Sequence, residues 1–135
     1  MISIIVPWRG RAEISITAPI LLSQVEKTGG ELIIVNYGGE IPEEIRGIVN
    51  SNLVIVDIPF RKYFNKACAN NIGAYYASND IMFFCDTDII LEDNFLEGSI
   101  KLLSNREKFF LTLSGVQETA LNSRKAGNVT VFGYE

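Results

Sequence analysis

Two aspartates separated by one residue, Asp86 and Asp88, stand between two apolar stretches at residues 81–85 and 89–91. Side chains at positions i and i+2 of an extended chain point the same way, with Cα atoms about 6–7 Å apart. Two carboxylates on one side suit a hard divalent cation, which takes oxygen ligands and readily shares them with phosphate. The alternative interpretation is a turn at the end of a strand, in which the aspartate side chains cap the following segment.

Two arginines, Arg9 and Arg11, flank a glycine directly after the first apolar run of the chain. The glycine lets the backbone approach a ligand closely, and a guanidinium group donates two hydrogen bonds at once to a diphosphate. The pattern therefore predicts a diphosphate contact, with a pair of solvated loop residues as the alternative.

Two aromatic residues, Tyr63 and Phe64, lie close to Lys66 at the start of a predicted helix. An aromatic ring at this place could stack on a nucleobase or a ribose. Packing in the core would explain an aromatic residue at a helix start equally well, so both interpretations stay open.

Alternating strand and helix patterns supply the elements that must position these side chains. Apolar runs predict strands at residues 2–6, 31–36, 52–58, 81–85, 109–114 and 128–134. Helical patterns lie between them: one from an N-cap at Thr17 to a stop at Gly29-Gly30, one at 42–50, one at 65–78, and one from Asp93 or Asn94 to about 105. This order predicts βαβ units and an α/β fold with helices on both faces of a mostly parallel central sheet.

The carboxyl ends of parallel strands meet at one edge of the sheet, where α/β proteins bind their ligands. Four segments follow strand ends and should converge there, and we call them the rim: Trp8–Arg11, Asn36–Gly39, Pro59–Lys62 and Asp86–Asp88. The two aspartates and the two arginines are therefore predicted to be neighbours.

Composition excludes several classes of function. The 135 residues predict a single domain over 1–135, and 47% hydrophobic against 21% charged residues argues against disorder. A net charge of −4 argues against a nucleic-acid binder. The chain contains no histidine, so no imidazole base or imidazole metal ligand is available within it.

The cysteines and the apolar runs indicate where the protein works. Cys68 and Cys85 lack CxxC spacing and are expected to be free thiols in a reducing compartment. No apolar run reaches the roughly 20 residues that span a bilayer. We therefore expect a cytoplasmic protein without a transmembrane segment.

Five segments resemble the nucleotide-sugar half of GT-A fold glycosyltransferases, especially family 2 and the β-1,4-galactosyltransferase-like branch. They occur in the family's order across nearly the whole chain: "IIVPWRGRAE" (4–13), "ELIIVN" (31–36), "FNKACANNIGAYYAS" (64–78), "IMFFCDTDIIL" (81–91) and "AGNVTVF" (126–132). The resemblance implies a three-layer, Rossmann-like α/β/α fold. It also implies a metal-dependent hexosyltransferase-like enzyme that moves a sugar from a nucleotide-diphosphate donor to an acceptor hydroxyl.

The resemblance implies roles for individual residues. Asp86 and Asp88 would form the D-x-D motif, with Asp88 on a Mn²⁺ or Mg²⁺ ion and Asp86 nearer the ribose. Arg9 and Arg11 match residues that contact the diphosphate, and Phe64 and Lys66 match positions near the base. The complete expected nucleotide-sugar set is Pro7, Trp8, Arg9, Arg11, Asn36, Phe64, Lys66, Asp86, Thr87 and Asp88.

The sequence also departs from the family pattern. Asn36-Tyr37 stands where the family often has an Asp-Asp pair, and the only candidates for a catalytic base in the later part are Glu118 and Glu135. The acceptor would be a glycan, lipid or protein. A non-catalytic nucleotide-sugar-binding module without its own acceptor site remains the alternative, and a homodimer that borrows an acceptor wall from a second copy is also among the expected assemblies.

Overall fold

A computed structural model describes residues 1–106 and 108–112 of the chain. Strands and helices alternate in it: β1 (Ile2–Trp8), α1 (Ile14–Lys27), β2 (Glu31–Tyr37), α2 (Glu43–Arg46), β3 (Leu53–Ile58), α3 (Lys66–Tyr76), β4 (Ile81–Phe84) and α4 (Phe95–Leu103). Two compact units divide the chain, one from Met1 to Leu102 and one that begins at Leu103. The prediction of a single domain stays a prediction.

The four strands form one parallel sheet in the order β3-β2-β1-β4. β1 is central, because Ile4 pairs with Leu32 of β2 on one side and with Phe83 of β4 on the other. The parallel direction brings the carboxyl ends of all four strands to the same edge, as predicted from the alternating pattern.

Side chains of the central strands alternate between two hydrophobic layers, as period-2 geometry requires. Ile4 and Val6 of β1 pack in a layer with α1 and α4, whereas Ile5 packs in a second layer with α3. All seven residues of β1 are buried. Burial on both faces explains why this strand is an almost unbroken apolar run rather than an alternating one.

Helix α1 begins three residues before the predicted N-cap. Its buried residues start at Ile14, and Glu13 at the N-cap makes no side-chain capping bond. Thr17 lies inside the helix, where its Oγ1 is 3.1 Å from the Glu13 carbonyl oxygen. The N-cap prediction is therefore wrong, because the apolar face of the helix extends one turn further than the local threonine pattern indicates.

Helix α3 lies very close to the central strand. Its N-cap is Asn65, whose Oδ1 accepts a hydrogen bond from the backbone N–H of Cys68 at 2.9 Å. A Cβ atom at Gly73 would lie only 2.3 Å from Cγ2 of Ile5. The absence of a side chain at position 73 therefore allows α3 to rest directly on β1.

The last two predicted strands have different outcomes. Residues 109–112 form no strand, since they pair with no other described strand and the side chains of Phe109, Phe110 and Leu111 are exposed. The prediction at 109–114 is wrong over this part, and residues 113–114 and 128–134 lie outside the described residues. Cys68 and Cys85 are free thiols, as expected. None of the described helices is long and apolar enough to cross a membrane.

Candidate functional site

The D-x-D motif continues directly from β4 at the carboxyl edge of the sheet. The ladder extends one residue past the strand, because Cys85 donates its N–H to the Ile5 carbonyl oxygen at 2.9 Å. Thr87 is only 6% exposed, and its Oγ1 donates to the carbonyl oxygen of Pro7 at 3.3 Å. Thr17 of α1 donates to the Thr87 carbonyl oxygen at 2.6 Å. The middle residue of the motif is thus anchored in the interior by β1 and α1.

The two carboxylates of the motif point away from this anchor. The side chains of Asp86 and Asp88 are 53% and 49% exposed. Neither accepts a hydrogen bond from a backbone N–H of the described residues, so the structure does not show the capping turn that was the alternative. Both carboxylates are therefore open to solvent.

Each carboxylate instead contacts one cation from a different segment. Lys66, at the start of α3, forms an ion pair with Asp86. Arg11, in the loop after β1, places Nη2 at 3.2 Å from Oδ2 of Asp88 and at 3.2 Å from Oε1 of Glu13. The structure therefore brings two predicted cationic residues to the two predicted metal ligands, as convergence at the carboxyl edge requires.

The donor set fits a divalent cation that takes its remaining ligands from phosphate and water. The described residues contain no cluster of three His, Cys, Asp or Glu that could enclose a metal alone. Cys85 does not extend the set, because burial, together with the charges of Asp86 and Asp88, raises the pKa of its thiol to about 12. Two exposed carboxylates on one edge are typical of a Mg²⁺-type site that is shared with a phosphorylated substrate.

Pro7 and Trp8 hold the loop that carries the arginines. Pro7 is buried and accepts the Thr87 hydroxyl through its carbonyl oxygen. Trp8 is 2% exposed and donates Nε1–H to the carbonyl oxygen of Arg11 at 2.7 Å. The guanidinium carbon of Arg9 lies 5.2 Å from the centre of the Phe60 ring, which brings two rim segments together.

Asn36 closes the loop after β2. Its Nδ2 donates to the Gly39 carbonyl oxygen and to Oδ1 of Asp57, each at 2.8 Å, and its Oδ1 accepts the Gly39 N–H at 2.9 Å. Arg46 donates two hydrogen bonds to Asp57 at 2.7 and 2.9 Å. These bonds from Arg46 are the main cause that lowers the pKa of Asp57. Sequence reasoning missed Asp57 and Arg46, which lie 21 and 10 positions from Asn36 in the sequence.

Aromatic rings lie on the α3 side of the rim. Phe64 is 44% exposed and meets Tyr37 edge-on, with ring centres 5.8 Å apart. A hydrogen bond with the Cys68 thiol raises the pKa of Tyr37. An open depression of about 660 Å³ continues along α3 and is lined mainly by apolar side chains: Ile58, Ala67, Cys68, Ile72, Tyr75 and Tyr76. Glu118 and Glu135, the candidates for a catalytic base, lie outside the described residues.

Comparison with known proteins identifies the family. The pattern described as Glycosyltransferase like family 2 matches residues 3–114, which include the D-x-D motif and every expected nucleotide-sugar residue. The chain belongs to this family. The resemblance noted from the sequence is thereby confirmed.

A solved structure related to this family 2 chain shows the same fold. The crystal structure of S. aureus TarS 1-349 superimposes with a TM-score of 0.64 at 18% sequence identity. The match covers 91% of this chain and 43% of the TarS chain, so the chain spans less than half of that structure. The likeness confirms the GT-A type of α/β fold. No curated protein matches the sequence.

Proposed function

We propose that this chain forms the donor site of a metal-dependent glycosyltransferase, which moves a sugar from a nucleotide-diphosphate donor to an acceptor hydroxyl. The observation that carries the proposal is the pairing at the rim, where Asp86 and Asp88 meet Lys66 and Arg11. A site that contains two exposed carboxylates beside two cations suits a divalent cation together with a diphosphate. Membership in glycosyltransferase family 2 supports the same reaction class.

Each rim residue has a role in this proposal. Asp86 and Asp88 hold Mn²⁺ or Mg²⁺, with Asp86 nearer the ribose, and the ion when bound offsets the charge of the departing diphosphate. Arg9 and Arg11 hold the phosphate oxygens. Pro7, Trp8 and Thr87 act from the interior, because they fix the two loops that carry these charged groups.

Recognition of the nucleoside falls to the aromatic side of the rim. The half-exposed ring of Phe64, held edge-on by Tyr37, offers a face on which a base can stack. Asn36 is buried and already bonded to Gly39 and Asp57, so in this proposal it shapes the loop rather than reading the base.

The acceptor side lies outside this donor site. We propose a glycan, lipid or protein hydroxyl as acceptor, a hexose as the transferred sugar, and Glu118 or Glu135 as the base. A nucleotide-sugar-binding module that has no acceptor site of its own is the second candidate. One observation favours this second candidate. The carboxylates in the described part of the rim are Asp86 and Asp88, and as candidate metal ligands they leave no acidic residue there to act as the base.

A panel of donors tests the proposal. The protein is incubated with Mn²⁺ and with UDP-, GDP- and dTDP-sugars, and thermal stability and nucleotide release are measured, with EDTA in place of Mn²⁺ as the control. We expect one nucleotide class to raise the melting temperature only when metal is present, and to be released slowly by hydrolysis when no acceptor is added. Binding without any release would favour the module, and no metal-dependent binding at all would overturn both candidates.

A further inference from the structure

Both carboxylates proposed for the metal are occupied by cations when no ligand is present. Lys66 contacts Asp86, and Arg11 contacts Asp88. The four side chains together carry no net formal charge. A metal ion that binds these carboxylates therefore competes with the two cations.

The structure indicates which groups move in such a replacement. The D-x-D backbone is fixed, because the buried Thr87 is bonded to Pro7 and to Thr17. Lys66 and Arg11, in contrast, are 53% and 58% exposed in their side chains and reach the aspartates through long, flexible stems. The cations are the mobile members of the two pairs.

We propose that Lys66 and Arg11 are exchangeable counter-ions, which leave Asp86 and Asp88 when the metal binds and pass to the diphosphate of the donor. The inference rests on the proposed donor site and adds a coupling between its two ligands. Arg11 was expected at the diphosphate, and Lys66 now acquires a phosphate-binding role in place of one near the base.

Charge balance explains the coupling. If the metal ion bound alone, Lys66 and Arg11 would be displaced from the aspartates and would repel the metal ion beside them. If the diphosphate bound alone, it would attract the two cations and leave the aspartates unpaired near the negatively charged phosphates. When both ligands bind, every charge has a partner of opposite sign. Each ligand should therefore raise the affinity for the other by the same factor.

The expected size of the effect follows from the exposure of the pairs. Ion pairs between solvent-exposed side chains are weak, so the loss of one pair should change an affinity by roughly two- to fivefold. The sign of the change, rather than its size, is diagnostic.

The experiment compares Lys66→Gln with the unmodified protein, with Arg11→Gln as a second variant. Binding of Mn²⁺ alone is measured by electron paramagnetic resonance, and binding of the preformed Mn²⁺–UDP and Mn²⁺–pyrophosphate complexes by calorimetry. We expect each variant to bind Mn²⁺ alone about two- to fivefold more tightly, because an aspartate has been freed. We expect both to bind the two complexes more weakly, because a phosphate partner has been lost.

Lys62→Gln is the matched control. It removes the same charge from a neighbouring segment, where the Lys62 ammonium lies over the ring of Tyr63 at 5.2 Å rather than beside an aspartate. Equal effects of Lys62→Gln and Lys66→Gln on Mn²⁺ would mean that only overall charge matters, and would overturn the exchange. Changes of the same sign for metal and for the complexes would also overturn it.

The outcomes separate this inference from the proposed function. If the unmodified protein binds UDP more tightly with Mn²⁺, but Lys66→Gln and Arg11→Gln bind Mn²⁺ alone no more tightly than it does, the exchange is wrong and the donor site stands. If neither Mn²⁺ nor Mn²⁺–UDP binds, the donor site itself is wrong, and the exchange falls with it.

Discussion

Carboxylates lie at both ends of the central sheet, and the two ends hold them differently. At the amino end, Oε1 of Glu31 accepts hydrogen bonds from Ser3 Oγ at 2.6 Å and from Ser78 N and Oγ at 2.7 and 2.8 Å. At the carboxyl end, Asp86 and Asp88 each contact a single long cationic side chain.

The difference separates a structural carboxylate from one that is available to a ligand. Burial alone would raise the pKa of Glu31, but the hydrogen bonds from Ser3 and Ser78 outweigh it and hold the pKa below its ordinary value. The groups that donate to Glu31 belong to Ser3 and Ser78 and are a backbone N–H and short hydroxyl side chains, so they cannot move away from Glu31 unless this edge of the sheet unfolds. Lys66 and Arg11, in contrast, can change partner when their long side chains rotate. The Glu31 carboxylate is therefore held in place by the sheet at the amino end, whereas Asp86 and Asp88 at the carboxyl end are open to solvent.

The largest expected effect is at the carboxyl end. Asp88→Ala should weaken metal-dependent UDP binding by at least roughly 100-fold, since loss of a direct ligand should exceed the tenfold to 100-fold cost of losing an outer-shell partner. The melting temperature should change little, because the side chain is exposed. Titration calorimetry with Mn²⁺ and UDP measures this.

Asp80→Ala is the matched control for that experiment. Asp80 is an exposed aspartate at the opposite end of the same strand, directly before β4. The control should bind UDP and Mn²⁺ normally. Unchanged affinity in Asp88→Ala would show that the metal-site assignment is wrong.

At the amino end we expect the opposite pattern. Glu31→Gln should lower the free energy of unfolding by about 1–3 kcal/mol, because charged acceptors strengthen the bonds from Ser3 and Ser78, while UDP binding stays unchanged. Urea denaturation measures the loss, with Glu92→Gln as a control at an exposed glutamate. A variant that lost UDP affinity but no stability would contradict the comparison.

Acid should remove the same contribution. A carboxylate whose pKa is lowered in the folded state stabilises above its unfolded pKa, near 4.5, and loses this contribution as the pH falls through the lower folded value. The stability difference between the unmodified protein and Glu31→Gln should thus be constant well above pH 4.5 and shrink as the pH falls below 4.5. A difference that does not shrink in acid would mean that the shape of Glu31, rather than its charge, is responsible.

A smaller effect is expected where the interior meets the rim. Thr17→Val removes the hydroxyl that donates to the Thr87 carbonyl oxygen and should cost about 1–2 kcal/mol of stability, since a buried acceptor is left unpaired. Metal-dependent UDP binding should weaken a few-fold as well, because the D-x-D backbone is less firmly held. Ser15→Ala, which loses an exposed bond to Glu44 in the same helix, should change neither quantity appreciably.

The smallest effect is expected at the exposed ion pair between Arg46 of α2 and Asp57 of β3. Arg46→Gln breaks the two bonds to Asp57 but should cost at most about 1 kcal/mol, because both groups are about half exposed. Urea denaturation again measures it. A loss above 2 kcal/mol would show that the loop closed by Asn36 depends on Arg46. Asp57 would then be a structural carboxylate, as Glu31 is at the amino end.

The sequence alone predicted the features that depend on local pattern. Long apolar runs between helical segments indicated the parallel sheet, and the carboxyl-edge rule then placed Asp86, Asp88 and Arg11 together. Bonds between distant positions could not be predicted in this way. Thr17 and Thr87 are 70 positions apart, and Ser3 meets Glu31 across 28.

The errors have the same origin. Thr17 has the residue type of an N-cap, yet the packed face of α1 includes Ile14 and carries the helix past it. Residues 109–112 have the composition of a strand, yet a strand also needs a neighbour, and among the described residues they have none. Local preference is weaker than tertiary packing in both cases.

The close contact of Gly73 with Ile5 has a mechanical consequence for the rim. Lys66 is the first residue of α3 and lies about 10 Å along the helix axis from Gly73, where the helix contacts β1. The size of the residue at position 73 therefore sets the distance between α3 and β1, and with it the distance over which Lys66 must extend to contact Asp86. One added methyl group there would lift α3 from the sheet and could tune the charge balance around Asp86 from a distance, without altering any residue that touches a ligand.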